Sequence, residues 1–210
     1  MSRQGADVLV LGVGNILWAD EGFGVRCVEQ FARRYAERED VAVLDGGTQG
    51  LGLVNDLADA KRILIFDAVD VGAPPADMIV VRGDEVPRFV AGKKVSLHQT
   101  SMMEVLALAE LMASCPPEAI TLIGCQPAEL EDYGGGLTAQ VAARVEEAVD
   151  AAAHELAEWG FTPAPLLSDA DPSVAPEAVA WRAYEEARPS ADAACRVGDA
   201  RVLERLAARD

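Results

Sequence analysis

The chain has 210 residues, half of them hydrophobic, with a formal net charge of −17 and four cysteines. That length suits one domain, or one domain with an extension, with enough apolar mass for a sizeable core. The charge argues against a nucleic-acid partner or an anionic membrane surface and favours a basic partner surface. No stretch reaches the length of a membrane span, and the apolar run near the start is broken by Gly and Asn and followed by acids, unlike a secretory signal. The expectation is a cytoplasmic protein without membrane insertion. Cys27, Cys115, Cys125 and Cys195 are scattered without C-x-x-C spacing, so they read as reduced thiols rather than a disulfide frame or a zinc site.

Val8, Leu9, Val10 and Leu11 form an apolar β-forming run, as in a strand buried on both faces. Gly12 and Gly14 end it in a tight turn. A helical pattern then follows, with Val25, Val28, Phe31, Ala32 and Tyr35 on one face. Strand, glycine turn and helix open a doubly wound α/β fold, which carries its site at the carboxyl ends of the strands. The turn holds Asp20 and Glu21 where a phosphate loop wants bare N–H groups, and the third glycine of a dinucleotide fingerprint is Leu17 instead. Acids at a helix N-terminus can serve only to cap it, an effect of about 0.3–1 kcal/mol. Two acids in one glycine-flanked turn mark Glu21 as the stronger site candidate.

A second strand, 41–44, ends in Asp45-Gly46-Gly47-Thr48. An acid at the end of strand two is also where a dinucleotide fold reads ribose hydroxyls, so a nucleotide-dependent enzyme is the rival reading. Leu51, Val54, Leu57 and Ala58 suggest a short helix. Residues 62–66 form a third buried strand with Asp67 at its carboxyl end, and 78–81 a fourth. Arg88, Lys93 and Lys94 form the main basic cluster, just before His98 and Gln99. A helix is expected over 102–114, with Ser101 and Glu104 at capping-box spacing, and a fifth strand over 120–125. An acidic loop follows with Glu129, Glu131 and Asp132, then three glycines, and then a long helix capped by Thr138 and ending near Trp159. His154 falls off that helix's apolar face and reads as a surface residue. The result is a three-layer α/β/α sandwich, with a five-stranded, mostly parallel twisted sheet and helices on both faces.

Gly12-Val13-Gly14-Asn15-Ile16-Leu17, Asp20-Glu21-Gly22, Asp45-Gly46-Gly47-Thr48, Asp67-Ala68 and His98-Gln99 occur in that order. Together they resemble the hydrogenase maturation proteases over roughly residues 7–160. These endopeptidases remove the C-terminal extension of the nickel–iron (NiFe) hydrogenase large-subunit precursor. The resemblance implies that Glu21, Asp67 and His98 contact a metal. It also implies that this metal is nickel carried in the substrate protein, and that the hydrogenase large-subunit precursor is the partner. Asp45, Glu21 and Asp67 are the catalytic candidates, while Asn15, Gly46, Gly47 and Thr48 are expected to line the substrate cleft. Two carboxylates and an imidazole suit a borderline divalent ion such as nickel or zinc. Neither G-x-S-x-G nor H-E-x-x-H is present, so metal, general base, or both remain open as the means of cleavage. A nickel- or precursor-binding factor that cuts nothing is a further alternative.

The composition changes at the end of the long helix. Residues 1–162 read as the α/β domain. Residues 163–210, rich in proline and alanine, read as an extension, helical or disordered, with helical patterns over 177–188 and 201–208.

Overall fold

The computed structural model describes residues 6–87, 102–166, 174 and 180–187. Its centre is a five-stranded sheet of β1 (Val8–Val13), β2 (Val41–Gly47), β3 (Arg62–Ala68), β4 (Met78–Arg82) and β5 (Ala119–Cys125), in the order β2-β1-β3-β5-β4. β1, β2, β3 and β5 are parallel, whereas β4 runs antiparallel to β5 at the edge. The helices are α1 (Phe23–Arg34), α2 (Val54–Asp59), α3 (Met102–Met112), α4 (Ala139–Ala142), α5 (Val145–Glu158) and α6 (Trp181–Ala187). The helix expected after Thr138 is thus two helices, broken at Ala143 and Arg144. None of the described helices is long and apolar enough to cross a membrane.

The apolar runs alternate between two cores, as side chains on a pleated strand must. Val8, Val10, Leu64 and Phe66 pack with Phe23, Cys27, Val28 and Phe31 of α1 and with Val145, Val149, Ala152 and Leu156 of α5. Leu9, Leu11, Ile63 and Ile65 face the other way, onto Val54 and Leu57 of α2 and Val105, Leu106 and Ala109 of α3. Because both faces are covered, Val8–Leu11 of β1 and Ile63–Phe66 of β3 are continuously apolar rather than alternating. The edge strand β4 is stapled through Arg82, which binds the Glu155 carboxylate at 2.7 Å; Glu155 also accepts a hydrogen bond from the Thr121 hydroxyl at 2.8 Å.

The segment after α5 stays tied to the body. Ala36 donates its N–H to Ala164, and Leu166 donates to Arg34. Further on, Val174 and Trp181 pack against the α1–α5 core, and Ala180 is buried. The Trp181 N–H donates to Glu29 at 2.7 Å, and the Arg26 guanidinium lies 5.4 Å from the Tyr184 ring centre. The second helical pattern of the extension, 201–208, lies outside the described residues.

Candidate functional site

In the order β2-β1-β3 the chain leaves β1 toward one side and returns to the other, so a crevice opens at the carboxyl ends of β1 and β3. Glu21 follows β1, in a 3-10 turn (Ala19–Gly22) that leads directly into α1. Asp67 is the penultimate residue of β3 and is buried. Two glycines let these elements close up. A Cβ at Gly14, whose φ is +137°, would overlap the Glu21 carbonyl oxygen; one at Gly24 would overlap the carbonyl oxygens of Phe66 and Val13. The first turn of α1 therefore sits directly on the ends of β1 and β3, which keeps the Glu21 turn beside the peptide that precedes Asp67.

Asp67 shares the face of Ile63 and Ile65, the side covered by α2 and α3. His98, which precedes α3 in the sequence, lies outside the described residues, as do Arg88, Lys93 and Lys94. No group of three His, Cys, Asp or Glu among the described residues could hold a metal ion. The proposed donor set is complete only with His98, and its chemistry of two carboxylates and an imidazole fits a borderline divalent ion.

Asp45 belongs to the opposite face. Gly46 turns toward Leu11 and Leu53, so Asp45 looks toward the α1 side, where Arg26 and Glu29 lie within electrostatic reach. Burial pushes its carboxyl above the ordinary range, against the lowering effects of the Gly47 N–H and Arg26. The loop after β2 is bound to the first loop by Gly14, whose N–H donates to Gly47 at 3.0 Å; Gln49 folds back onto the Asp45 carbonyl. Thr48 is exposed beyond them. Asn15 shapes its own turn, its side-chain oxygen accepting the Leu17 N–H at 3.0 Å.

The neighbouring acids Asp20 and Glu21 have separate fates. Asp20 is fully buried (0% exposed) and accepts hydrogen bonds from the N–H groups of Ala128, Glu129 and Thr138 and from the Thr138 hydroxyl, at 2.7–3.1 Å. It clamps the loop after β1 to the loop after β5. Glu21 is only partly buried.

The same bonds settle the nucleotide rival. A pyrophosphate needs free backbone donors in the glycine turn. Here the N–H groups of Gly14, Asn15, Leu17, Trp18, Ala19, Asp20 and Glu21 all donate within the protein. Nor, among the described residues, does a thiol offer a nucleophile at this end of the sheet. Burial is the main cause that pushes Cys125, the last residue of β5, up to about 12, and burial likewise raises the Cys27 thiol.

The composition of the chain gave no sign of Arg26 as a neighbour of Asp45. Arg26, Glu29 and Arg33 follow one another at helical spacing on α1, a pattern that ordinarily marks a solvated face. Yet Arg26 and Glu29 are 2% and 1% exposed and are joined at 3.1 Å.

A family model described as hydrogenase maturation protease matches residues 25–155. The hydrogenase expression/formation protein HupD of Rhodobacter capsulatus is 52% identical over 200 residues, covering 93% of this chain and 92% of the relative. The hydrogenase 2 maturation protease of Escherichia coli strain K12 is 39% identical over 159 residues, covering 75% of this chain and 95% of its own length. Among solved structures, the hydrogenase maturating endopeptidase HybD from E. coli superposes with a TM-score of 0.69 at 38% identity, covering 75% of this chain and 96% of that one.

Proposed function

This chain belongs to the hydrogenase maturation protease family and is an endopeptidase, and we propose that it removes the C-terminal extension of a nickel-loaded NiFe-hydrogenase large-subunit precursor. In this reading Glu21, Asp67 and His98 contact the nickel carried by the precursor. Gly46, Gly47, Thr48 and Asn15 line the path of the peptide beside it. The cut is a hydrolysis: a water oxygen adds to the scissile carbonyl carbon, and the peptide nitrogen leaves with a proton. A carboxylate that takes the water's proton and passes it on provides the acid–base part. Asp45, two residues before the Gly47 carbonyl that the Gly14 N–H binds, is the candidate for that role, and the rise that burial gives its proton affinity is in the right direction for it.

The observation that carries the reading is the Glu21 turn seated against the end of β3 just before Asp67, a contact that only glycine at positions 14 and 24 permits. The turn after β1 that carries Glu21 and the end of β3 that carries Asp67 then meet at the switch-point crevice. The three described cysteines are free, which suits a reducing, cytoplasmic compartment.

The test is to mix the protein with nickel-loaded and metal-free precursor and to weigh the products by mass spectrometry. Loaded precursor should lose its C-terminal segment and metal-free precursor should stay full length. His98→Ala and Glu21→Gln should leave loaded precursor uncut while retaining the parent's thermal transition. Equal cutting of metal-free precursor would overturn the nickel reading, and a loaded precursor that stays intact would overturn processing itself.

A further inference from the structure

The Asp20 clamp does more than close the loop after β1. It fuses two loops, 14–22 and 127–138, into one rigid surface beside the Glu21 turn. Ala19 donates to Gly135, Asp20 to Glu129 and Gly134 to Leu17, while Trp18 and Tyr133 pair as an isolated bridge. Ala19 is held at a φ of +44°, a left-handed conformation that strains a residue with a Cβ. The strain is spent on presenting four large apolar side chains to water: Leu17 at 40% exposure, Trp18 at 36%, Leu130 at 37% and Tyr133 at 52%. The two aromatic rings meet edge to face, 5.2 Å apart at 64°.

A core has no use for these side chains, and a loop has no need to fix them. Rigid exposed aromatics lose little conformational entropy when covered, which is why they dominate binding surfaces. The platform is also acidic. Glu129 and Glu131 are exposed on it, with the Glu131 N–H donating to the Glu129 carboxylate at 2.6 Å, and Asp132 lies between Glu131 and Tyr133. It is continuous with the candidate site, since the Trp18 carbonyl accepts the Glu21 N–H at 3.0 Å.

We propose that this Trp18–Tyr133 platform is the docking surface for the stretch of precursor polypeptide that leads to the scissile bond. It takes an apolar or aromatic side chain against the two rings, with a neighbouring Lys or Arg against Glu129 and Glu131. Two features choose the occupant: the charge, which disfavours an acidic segment and this strongly acidic chain itself, and the place of the platform in the same turn as Glu21, which puts it next to the polypeptide held at the site. The proposal rests on the processing reading above.

The test separates docking from cutting. Binding is measured by calorimetric titration with metal-free precursor, which is not consumed, and processing with nickel-loaded precursor, using the full chain in both. Trp18→Ala with Tyr133→Ala should weaken binding and raise KM by about tenfold or more, leaving kcat at saturating precursor within twofold. Glu131→Lys should weaken binding and flatten its salt dependence. Should the Trp18 variant fail to fold, Leu130→Asp and Tyr133→Ala probe the same surface from exposed positions. Unchanged binding and KM in folded variants would overturn the proposal. So would a dimer in solution that the Trp18 and Tyr133 substitutions dissolve, because a second copy would then cover the platform. If parent protein binds precursor through these residues but never shortens it, the processing reading falls and the docking assignment stands.

Discussion

Replacing Asp20 by alanine should destabilise the protein more than replacing any acid on its surface. The carboxylate has no exposed surface and accepts four hydrogen bonds, three of them from backbone N–H groups of the 127–138 loop. Hydrogen bonds to a charged group contribute about 1.5–3 kcal/mol each. Their sum overstates the loss, because the variant no longer has to desolvate a carboxylate, a penalty of several kcal/mol. The remainder is about 3–5 kcal/mol, since the three N–H groups lose their acceptor at about 1–3 kcal/mol each where no water reaches them. At about 2–4 °C per kcal/mol for a chain of this size, Tm should fall by roughly 10 °C. Asp20→Asn keeps one oxygen but turns an NH2 toward N–H donors, so about half the loss should remain. Thermal and urea unfolding give the stability change; hydrogen exchange at the amides of Ala128, Glu129 and Thr138 locates it. An alanine variant within about 1 kcal/mol of the parent, with those amides still protected, would refute the clamp. The backbone bonds from Ala19 to Gly135 and from Asp20 to Glu129 would then hold the loops by themselves.

Two further outcomes follow from buried charge. Asp45 binds its proton more tightly folded than unfolded, because burial raises its carboxyl. Its charged form therefore opposes folding, and stability is lost as pH rises from the ordinary carboxylate range through the raised value. Asp45→Asn should raise Tm at pH 7, change it little near pH 3, and abolish processing; a lower Tm at pH 7 would show that the Gly47 N–H and Arg26 outweigh burial. Truncation after Leu166 removes the Trp181 N–H from Glu29 and Tyr184 from Arg26. A cooperative transition should survive, lowered by about 4–10 °C for the loss of one hydrogen bond to a buried carboxylate, and an unchanged Tm would show that the α6 contact is inert.

The sheet was legible because its central strands are apolar on both faces, a pattern that only a covered parallel sheet explains. The direction of β4 was not taken from its residues, since Met78 to Val81 read the same in either sense. The connection 69–77 did carry a signal, being too short for a helical crossover to a parallel neighbour. The break at Ala143 and Arg144 lacked the Gly or Pro that marks a boundary. The docking of α6 was hidden for another reason. It depends on Arg26 and Glu29, and charges at helical spacing read as solvated unless their burial is known; proline-rich composition left the extension open between helical and disordered.

At the site, residue type and spacing identified Asp20 and Glu21 as a pair but could not divide their work. Both are acids at the start of a helix, and a helix dipole favours either. What divides them is a loop more than a hundred residues away. The 127–138 segment brings three N–H groups and a hydroxyl to position 20, so the first carboxylate is committed to holding the loops together. This division also explains why an acidic turn can replace a phosphate-binding one on the same strand–turn–helix frame. The turn's own carbonyls, the Asn15 side chain and the carbonyls of Gly47, Glu129 and Gly135 take up the turn's backbone donors, which leaves side chains to do the recognising. A site that reads its substrate through carboxylates, with its backbone already satisfied, is selective for a cation or a basic segment and closed to an anion. The two proposals therefore share one electrostatic requirement, a positively charged feature on the precursor. Raising ionic strength should weaken docking on the platform, whose carboxylates are exposed, more than it weakens contacts of the buried Asp67.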